Sequence, residues 1–408
     1  MIASHDPYQS LRFRDFRWLL IGTTFAFTAA QMQSLVLGWQ VYERTHDPMS
    51  LGWIGLFEAI PFLGLSLPGG WAADHWDRRS LCIVASALSL LGAVLLVLLA
   101  QSTNTSRVWP FYAIQSLAGV SRALSRPASQ ALGTDIIPRN TYANAATWRS
   151  SCFHFSMVAG PALGGLLFAF GGGNLAYEVL ALLYLIGLVA LYKVRDPNVH
   201  ARSAPGENKS LVAGVRFVFS NRLILSALSL DLFAVLFGGA IALLPAFAHD
   251  VLRVGPAGLG LLRTAPAVGA ITMAVVIAHR RPSERAGMML LLSVAAYGMT
   301  WILFASSRSL LWSLLLLAAS VAFDNVSVIL RATLVQIQTP SQMMGRVQAV
   351  NGFFIGSSNE IGAFESGLAA RLLGLVPSVL FGGCMTLVIV AFVTRMVPEL
   401  RKLRRIDT

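Results

Sequence analysis

The chain is dominated by apolar runs whose length matches the thickness of a lipid bilayer. A helix that crosses the hydrocarbon core needs about 20 mostly apolar residues. Such runs occur at 18–42, 51–73, 81–101, 108–126, 145–170, 175–193, 223–248, 257–278, 287–305, 309–330, 347–369 and 374–395. A content of 55% hydrophobic and only 12% charged residues also differs from that of soluble domains. We therefore predict an all-α membrane protein with twelve transmembrane helices. The short loops leave no room for a catalytic domain, so an enzyme is not expected.

The formal net charge of +12 does not indicate nucleic-acid binding, because the basic residues alternate with the predicted spans. If both termini are cytoplasmic, the connections that are richest in Lys and Arg all lie inside. The outer connections carry only Arg44, Arg107, Arg253, Arg308 and Arg371. Cytoplasmic loops of membrane proteins are enriched in Lys and Arg. The charge distribution thus predicts a multi-pass protein with both termini in the cytoplasm and with lipid, not nucleic acid, as its surroundings.

The two halves of the chain repeat each other. Identical residues recur at a separation of 205 in the pairs Arg17/Arg222, Gly55/Gly260, Pro61/Pro266 and Gly64/Gly269. This repeat predicts two six-helix bundles, 1–194 and 215–408, joined by a cytoplasmic linker at 195–214. Parallel repeats of this kind place a substrate site at their interface and work by alternating access.

A charged loop of distinctive spacing interrupts the apolar pattern after the second span. The sequence GGWAADHWDRRS resembles the loop signature of the major facilitator superfamily, although His75 replaces the usual cation and Asp77 the usual glycine. The resemblance implies a gate that binds helix ends of the other half, and the alternative is simple anchoring of the inner loop. The candidate gating residues are Gly70, Asp74, Arg78 and Arg79.

Further segments resemble a narrower branch of that superfamily. They are DLFAVLFGGAIALLPAFA, GLGLLRTAPAVGA, and the run from QTPSQMMGRVQAVN to SSNEIGAFESGLAA. They look like the branch of enterobactin exporters and transmembrane secretion effectors, which includes macrolide-efflux-like proteins. The resemblance implies a bacterial inner-membrane exporter of a small molecule, driven by protons. We expect the protein to function as a monomer.

The fifth span contains a motif of small residues, GPALGG. It resembles the end of the antiporter motif of drug exporters, and small residues let helix backbones approach closely. A tight packing surface without any export-specific role is the alternative. The motif residues are Gly160, Pro161, Gly164 and Gly165.

Ionisable residues inside the predicted spans are the candidates for proton coupling. A charge at the bilayer centre costs at least about 2.5–3.5 kcal/mol, so such residues usually have a function. Asp231 is the first choice because a long apolar stretch surrounds it. Structural ion pairs are the alternative, for example between Asp324 and Arg331, which lie two turns apart on one predicted helix. The full set is Glu58, Arg122, Asp231, Asp324 and Arg331.

Aromatic and amide side chains in the spans are candidates for binding an amphipathic substrate. On the fourth span, Gln115 stands where proton-linked exporters of the superfamily carry an arginine, and Arg122 is positioned to supply the missing cation. Packing is the alternative for each of these residues. The candidates are Phe27, Gln31, Gln40, Gln115, Phe237, Asn359, Glu360 and Glu365.

Other chemistries find little support in the sequence. The three cysteines and seven histidines are scattered without metal-ligand spacing, so neither a metal site nor a cofactor is expected. The phosphate-binding loop of ATPases is missing. The leading hypothesis is proton-coupled export of a siderophore, macrolide or other drug. The alternatives are uptake or uniport of a metal ion or nutrient and, more remotely, a membrane receptor that transports nothing.

Overall fold

The computed structural model describes residues 6–102, 107–195, 211–238, 240–279, 285–340 and 343–402. Helices and short turns make up these ranges, and they contain no strand. The main helices are α1 (Arg14–Thr45), α2 (Pro48–His75), α3 (Arg78–Gln101), α4 (Trp109–Asp135), α5 (Tyr142–Tyr192), α6 (Leu211–Ser220), α7 (Arg222–Gly238), α8 (Pro256–Ala278), α9 (Ala286–Ser306), α10 (Leu310–Gln338), α11 (Met344–Leu373) and α12 (Leu375–Met396).

The described helices are consistent with the twelve spans that the sequence predicts. Nine of the helical segments are both long and apolar enough to cross a bilayer. The longest, α5, has non-helical backbone at Gly172, with φ 65° and ψ −162°. Glycine tolerates this positive φ because it lacks a Cβ. The break divides α5 into two arms, each about as long as a spanning helix. The more polar helices α4 and α11 have 27 and 30 residues, which is long enough to cross a bilayer.

The seventh span differs in detail from its predicted form. The apolar run at 223–248 predicts one helix, but α7 ends at Gly238. A 3-10 turn at Ala240–Leu243, a short helix at Leu244–Ala246 and a π-helix at Phe247–Val251 follow. Pro245 has no backbone N–H and cannot continue the hydrogen bonds of a preceding helix. Hydropathy therefore predicts the length of this segment but not its changes of helix type.

The chain divides into two compact units. Unit 1 comprises Met1–Arg44 and Phe57–Pro205, and unit 2 comprises Thr45–Leu56 and Gly206–Thr408. The connection between α1 and α2, with the first turns of α2, is thus counted with unit 2. Most of the predicted linker, from 196 to 210, lies outside the described residues. The predicted domain boundaries at 194 and 215 stay a prediction.

Each unit has its own apolar core. In unit 1, α3 packs against α4 and α5, and Phe16, Leu132 and Leu191 belong to a buried cluster. In unit 2, α10 packs against α8 and α9, and α9 also packs against α12. Leu230 and Leu334 lie in a buried cluster there. These cores hold the helices that carry the polar residues described next.

Candidate functional site

The polar residues of unit 1 form a hydrogen-bonded network around Glu58 on α2. Arg122 Nη1 on α4 lies 2.8 Å from Glu58 Oε1, and Gln115 Nε2 donates to Glu58 Oε2 at 2.7 Å. Gln115 Oε1 in turn accepts from Gln33 Nε2 on α1 at 3.3 Å, and the Tyr184 hydroxyl donates to Gln33 Oε1 at 3.2 Å. The network, which we call the Glu58 network, joins α1, α2, α4 and the second arm of α5.

Close helix packing brings the members of the Glu58 network together. A Cβ at Gly119 would collide with the Glu58 carbonyl oxygen and lie 2.8 Å from Pro61 Cγ, so only glycine lets α4 approach α2 here. The Arg122 guanidinium also lies 4.3 Å from the centre of the Phe62 ring, within cation–π distance. The side chains of Arg122 and Glu58 are 38% and 20% exposed, so this ion pair is only partly buried.

Unit 2 contains a second ion pair, which is almost fully buried. Arg331 on α10 pairs with Asp231 on α7, and their side chains are only 4% and 9% exposed. The sequence analysis suggested Asp324 as the partner of Arg331. Residues seven apart on a helix are separated by about 10 Å along its axis, so both side chains would have to extend fully along the helix to meet. The neighbouring helix α7 supplies the closer carboxylate, while Asp324 is half-buried within electrostatic range of both groups.

The predicted substrate residues of unit 1 lie in different environments. Gln115 is part of the Glu58 network. Gln40 is buried and accepts a hydrogen bond from the buried Tyr177 hydroxyl. Gln31 is half-buried, and its Cβ lies against Gly160 of α5. Phe27 is exposed and meets the Phe153 ring edge-on, with ring centroids 5.6 Å apart. Only Gln115 is joined to a predicted proton-coupling residue.

The predicted substrate residues of unit 2 lie on α7 and α11. Phe237 stacks on Phe233 and meets Phe381 edge-on, each at a centroid distance of 6.5 Å. Asn359 is exposed, and its amide donates to the Ile355 carbonyl of its own helix at 2.9 Å. Glu365 is half-buried. The side chain of Glu360 lies outside the described part of the structure. The substrate role of this set stays a prediction.

The predicted gating residues make their contacts within unit 1. Arg78 Nη1 contacts both oxygens of Asp135 at the end of α4, at 2.8 and 2.6 Å. Arg79 Nη2 donates to the Tyr192 carbonyl at the end of α5, at 2.7 Å. Asp74 is exposed. Nothing lies within 4 Å of a Cβ placed at Gly70. The loop thus ties α3 to the ends of α4 and α5 and leaves Asp74 accessible.

The two departures from the loop signature have local structural consequences. Asp77 is the N-cap of α3, and its carboxylate accepts hydrogen bonds from the Ser80 backbone N–H at 2.8 Å and from the Ser80 hydroxyl. Such caps satisfy backbone donors that have no partner inside the helix. His75 stacks on Trp71 at a centroid distance of 4.4 Å. Asp77 therefore starts the next helix where the usual signature has a flexible glycine.

The small residues of the first arm of α5 face α1. A Cβ at Gly160 would lie 2.6 Å from Gln31 Cβ, and a Cβ at Gly164 would lie 3.1 Å from Met32 Cγ. Pro161 and Gly165 are buried beside them. This contact fits the packing alternative and does not by itself indicate export.

Two sets of polar residues are missing from the predicted site residues. Gln33, Tyr177 and Tyr184 are buried hydrogen-bonding partners, and their position inside apolar runs was the available signal. His46 and His249 come together although roughly 200 residues separate them. No local spacing indicates that proximity, which is why the sequence analysis expected no metal site.

A cavity of about 440 Å³ lies at the ends of α1, α3 and α5. Its lining includes Arg14, Arg79, Lys193 and Arg195, so it is strongly cationic. None of the predicted substrate-binding residues belongs to this lining. The cavity is therefore separate from the Glu58 network.

Comparison with known proteins identifies relatives along nearly the whole chain. A sequence profile described as transmembrane secretion effector matches residues 5–408. The enterobactin exporter EntS of Escherichia coli O1:K1 / APEC is 26% identical over 400 residues, which cover 96% of this chain and 93% of that protein. The Shigella flexneri EntS is 26% identical over 396 residues, with the same coverage.

Solved structures share the fold. A POT family transporter in complex with 5-aminolevulinic acid matches with a TM-score of 0.76 at 12% identity, covering 95% of this chain and 97% of that one. The nucleoside transporter NupG matches with a TM-score of 0.69 at 15% identity, covering 94% and 98%. At such identities the likeness shows the fold alone. The relatives and structural neighbours are membrane transporters and not enzymes, as the sequence predicts. The chain belongs to the transmembrane secretion effector family of major facilitator superfamily transporters.

Proposed function

We propose that this transporter is a proton-coupled exporter of a small amphipathic molecule, such as a siderophore or a macrolide, in the bacterial inner membrane. The similarity to enterobactin exporters supports the direction of transport and the class of substrate. The buried pair of Asp231 and Arg331 carries the proposal of proton coupling. We further propose that the protein acts as a monomer with both termini in the cytoplasm.

The Asp231–Arg331 pair has the properties that a proton switch needs. Charges inside membrane-spanning helices are costly and tend to mark functional positions. Removing one charge of a buried pair leaves the other without compensation, which is strongly unfavourable. Protonation of Asp231 would have this effect on Arg331, and any conformation that gives Arg331 another partner or access to water would then be favoured. A proton bound at Asp231 thus shifts the balance between two conformations.

The Glu58 network is the proposed place of substrate recognition in unit 1. Its amide and hydroxyl groups, on Gln33, Gln115 and Tyr184, are buried, whereas the Arg122 side chain is 38% exposed and is the group that a substrate can reach. A guanidinium of this kind orients a ligand through a few directed hydrogen bonds. The charge pair there is also a second candidate for proton binding.

Transport into inverted membrane vesicles with an acidified lumen tests this proposal. Enterobactin and a macrolide serve as separate probes, and accumulation should fall at least tenfold when a protonophore collapses the gradient. Asp231→Asn should abolish the dependence on the gradient. The variant Asp6→Asn, which removes the half-buried partner of the exposed Arg12, serves as the control.

A double variant separates coupling from a purely structural role of the pair. Asp231→Asn with Arg331→Gln removes both buried charges and avoids leaving one unpaired. If the pair couples protons, the double variant is stable and exchanges substrate without responding to the gradient. If the double variant still uses the gradient to accumulate substrate at the wild-type level, the pair does not couple protons. If the wild type transports the probes equally well with and without the gradient, the protein is a uniporter. If it transports neither probe, the proposed substrate class is wrong.

A further inference from the structure

Three potential metal ligands meet in unit 2. His46 lies in the short connection between α1 and α2, and His249 and Asp250 lie in the π-helix at Phe247–Val251. One ligand atom from each of the three side chains lies within 4.8 Å of the others. The two imidazole rings have centroids 5.2 Å apart and are tilted by 55°. Two distant segments thus bring two imidazoles and a carboxylate to one place.

The backbone is unusual at both segments of this cluster. His46 has φ 47°, a left-handed conformation that few non-glycine residues adopt. Single π-helical turns are rare and are frequently found at functional sites. Unfavourable backbone geometry persists where the surrounding structure requires it, and it concentrates at ligand-binding sites. Both observations are independent of the proximity of the side chains.

A contact inside the cluster already brings two of its three side chains together. His249 Nδ1 lies 2.6 Å from Asp250 Oδ1, so the imidazole and the carboxylate face each other. Imidazole nitrogens and carboxylate oxygens are both ligands of Zn²⁺.

We propose that His46, His249 and Asp250 bind a divalent transition metal ion of the Zn²⁺ class. Two imidazoles and one carboxylate match the ligand preference of Zn²⁺, with water completing the coordination. Bonds of about 2.0–2.2 Å place ligand atoms roughly 3–4 Å apart. The three side chains are exposed or half-buried, so the small adjustment from 4.8 Å is available to them.

The proposed ion would connect two parts of unit 2. His46 joins α1 to α2, and the π-helix ends the segment that continues α7, so the ion would hold this connection against that segment. The predicted topology puts the site at the outer side of the membrane. Because a ligand that binds only the folded arrangement stabilises it, Zn²⁺ should raise the thermal stability of the protein.

Binding of Zn²⁺ to the purified full chain tests the site without any transport measurement. A protein whose polyhistidine tag has been removed is titrated with Zn²⁺ in the presence of a chromophoric chelator. We expect one specific ion per chain and no binding of Mg²⁺. His46→Ala and His249→Ala should each weaken binding at least tenfold, and Asp250→Asn should weaken it to a smaller degree.

His154→Ala and His279→Ala are the matched controls, and both should bind Zn²⁺ as the wild type does. Size-exclusion profiles and helical content verify that each variant is folded, and His46→Gln replaces His46→Ala if the latter does not fold. Unchanged affinity in the folded His46 and His249 variants would overturn the proposal. The result is independent of the proposed function, because a protein that exports nothing can still bind the ion.

Discussion

The Arg122 guanidinium on α4 lies 2.8 Å from Glu58 Oε1 on α2 and forms an ion pair between the two helices. Gln115, two turns earlier on α4, donates to the other oxygen of the same carboxylate. The superfamily pattern has an arginine at the position of Gln115. In this chain the Gln115 amide and the Arg122 guanidinium both bind the Glu58 carboxylate. Arg122 thus supplies the positive charge that the pattern places at the position of Gln115.

Loss of the Glu58 charge should impair transport more than stability. The Glu58–Arg122 pair is partly exposed, so its contribution to stability is expected to be at most about 1 kcal/mol. Glu58→Gln should nevertheless reduce transport at least tenfold, because Arg122 loses the charge that positions it. Vesicle transport and thermal unfolding are measured for Glu58→Gln and for the exposed control Glu178→Gln. Normal transport by Glu58→Gln would contradict a role of this network in substrate recognition.

A single methyl group at Gly119 should weaken the packing of α4 against α2. Its Cβ would overlap the Glu58 carbonyl oxygen, and such overpacking typically costs about 1–3 kcal/mol. A Cβ at Gly64 on α2 meets nothing within 4 Å, so Gly64→Ala is the matched control. Thermal unfolding in detergent should show a lower midpoint for Gly119→Ala only. If the two variants unfold at the same temperature, α4 and α2 can move apart at Gly119 without loss of stability.

Replacement of Asp77 should affect stability according to the capping ability of the new residue. Loss of an N-cap to alanine costs about 0.5–2 kcal/mol, whereas glycine costs only a few tenths. We therefore expect the order of thermal stability Asp77→Asn, Asp77→Gly and then Asp77→Ala, from highest to lowest. If Asp77→Ala is as stable as the wild type, the contact with Ser80 does not hold the start of α3.

The hydroxyl of Tyr177 should matter for folding because it satisfies a buried amide. Tyr177→Phe leaves Gln40 Oε1 without this donor, and an unsatisfied buried polar group costs about 1–3 kcal/mol. Tyr192→Phe removes a hydroxyl from a side chain that is 69% exposed and should have little effect. Thermal unfolding compares the two variants. If Gln40 binds substrate instead, Tyr177→Phe should lower the affinity for substrate and leave the thermal stability unchanged.

The sequence by itself determined the membrane-spanning helices and the family. Both depend on local patterns: the length of apolar runs, the charged loop after α2 and the small residues of α5. The expected spans coincide with helices, although α4 and α10 continue beyond the expected ends at 126 and 330. Near Gly238, Pro245 and changes of helix type interrupt a uniformly apolar run. Hydropathy reports whether a residue tolerates lipid, and this property does not depend on its neighbours in space.

Only the tertiary structure decided which polar side chains meet. Asp324 shares a helix with Arg331, yet Arg331 pairs with Asp231 of α7. His46 and His249 are far apart in the sequence and adjacent in unit 2. Such pairs depend on how each helix is rotated about its axis and how closely its neighbour approaches. Close packing at residues such as Gly119 determines the rotation and the distance between helices. Neither can be predicted from the residue pattern of a single helix.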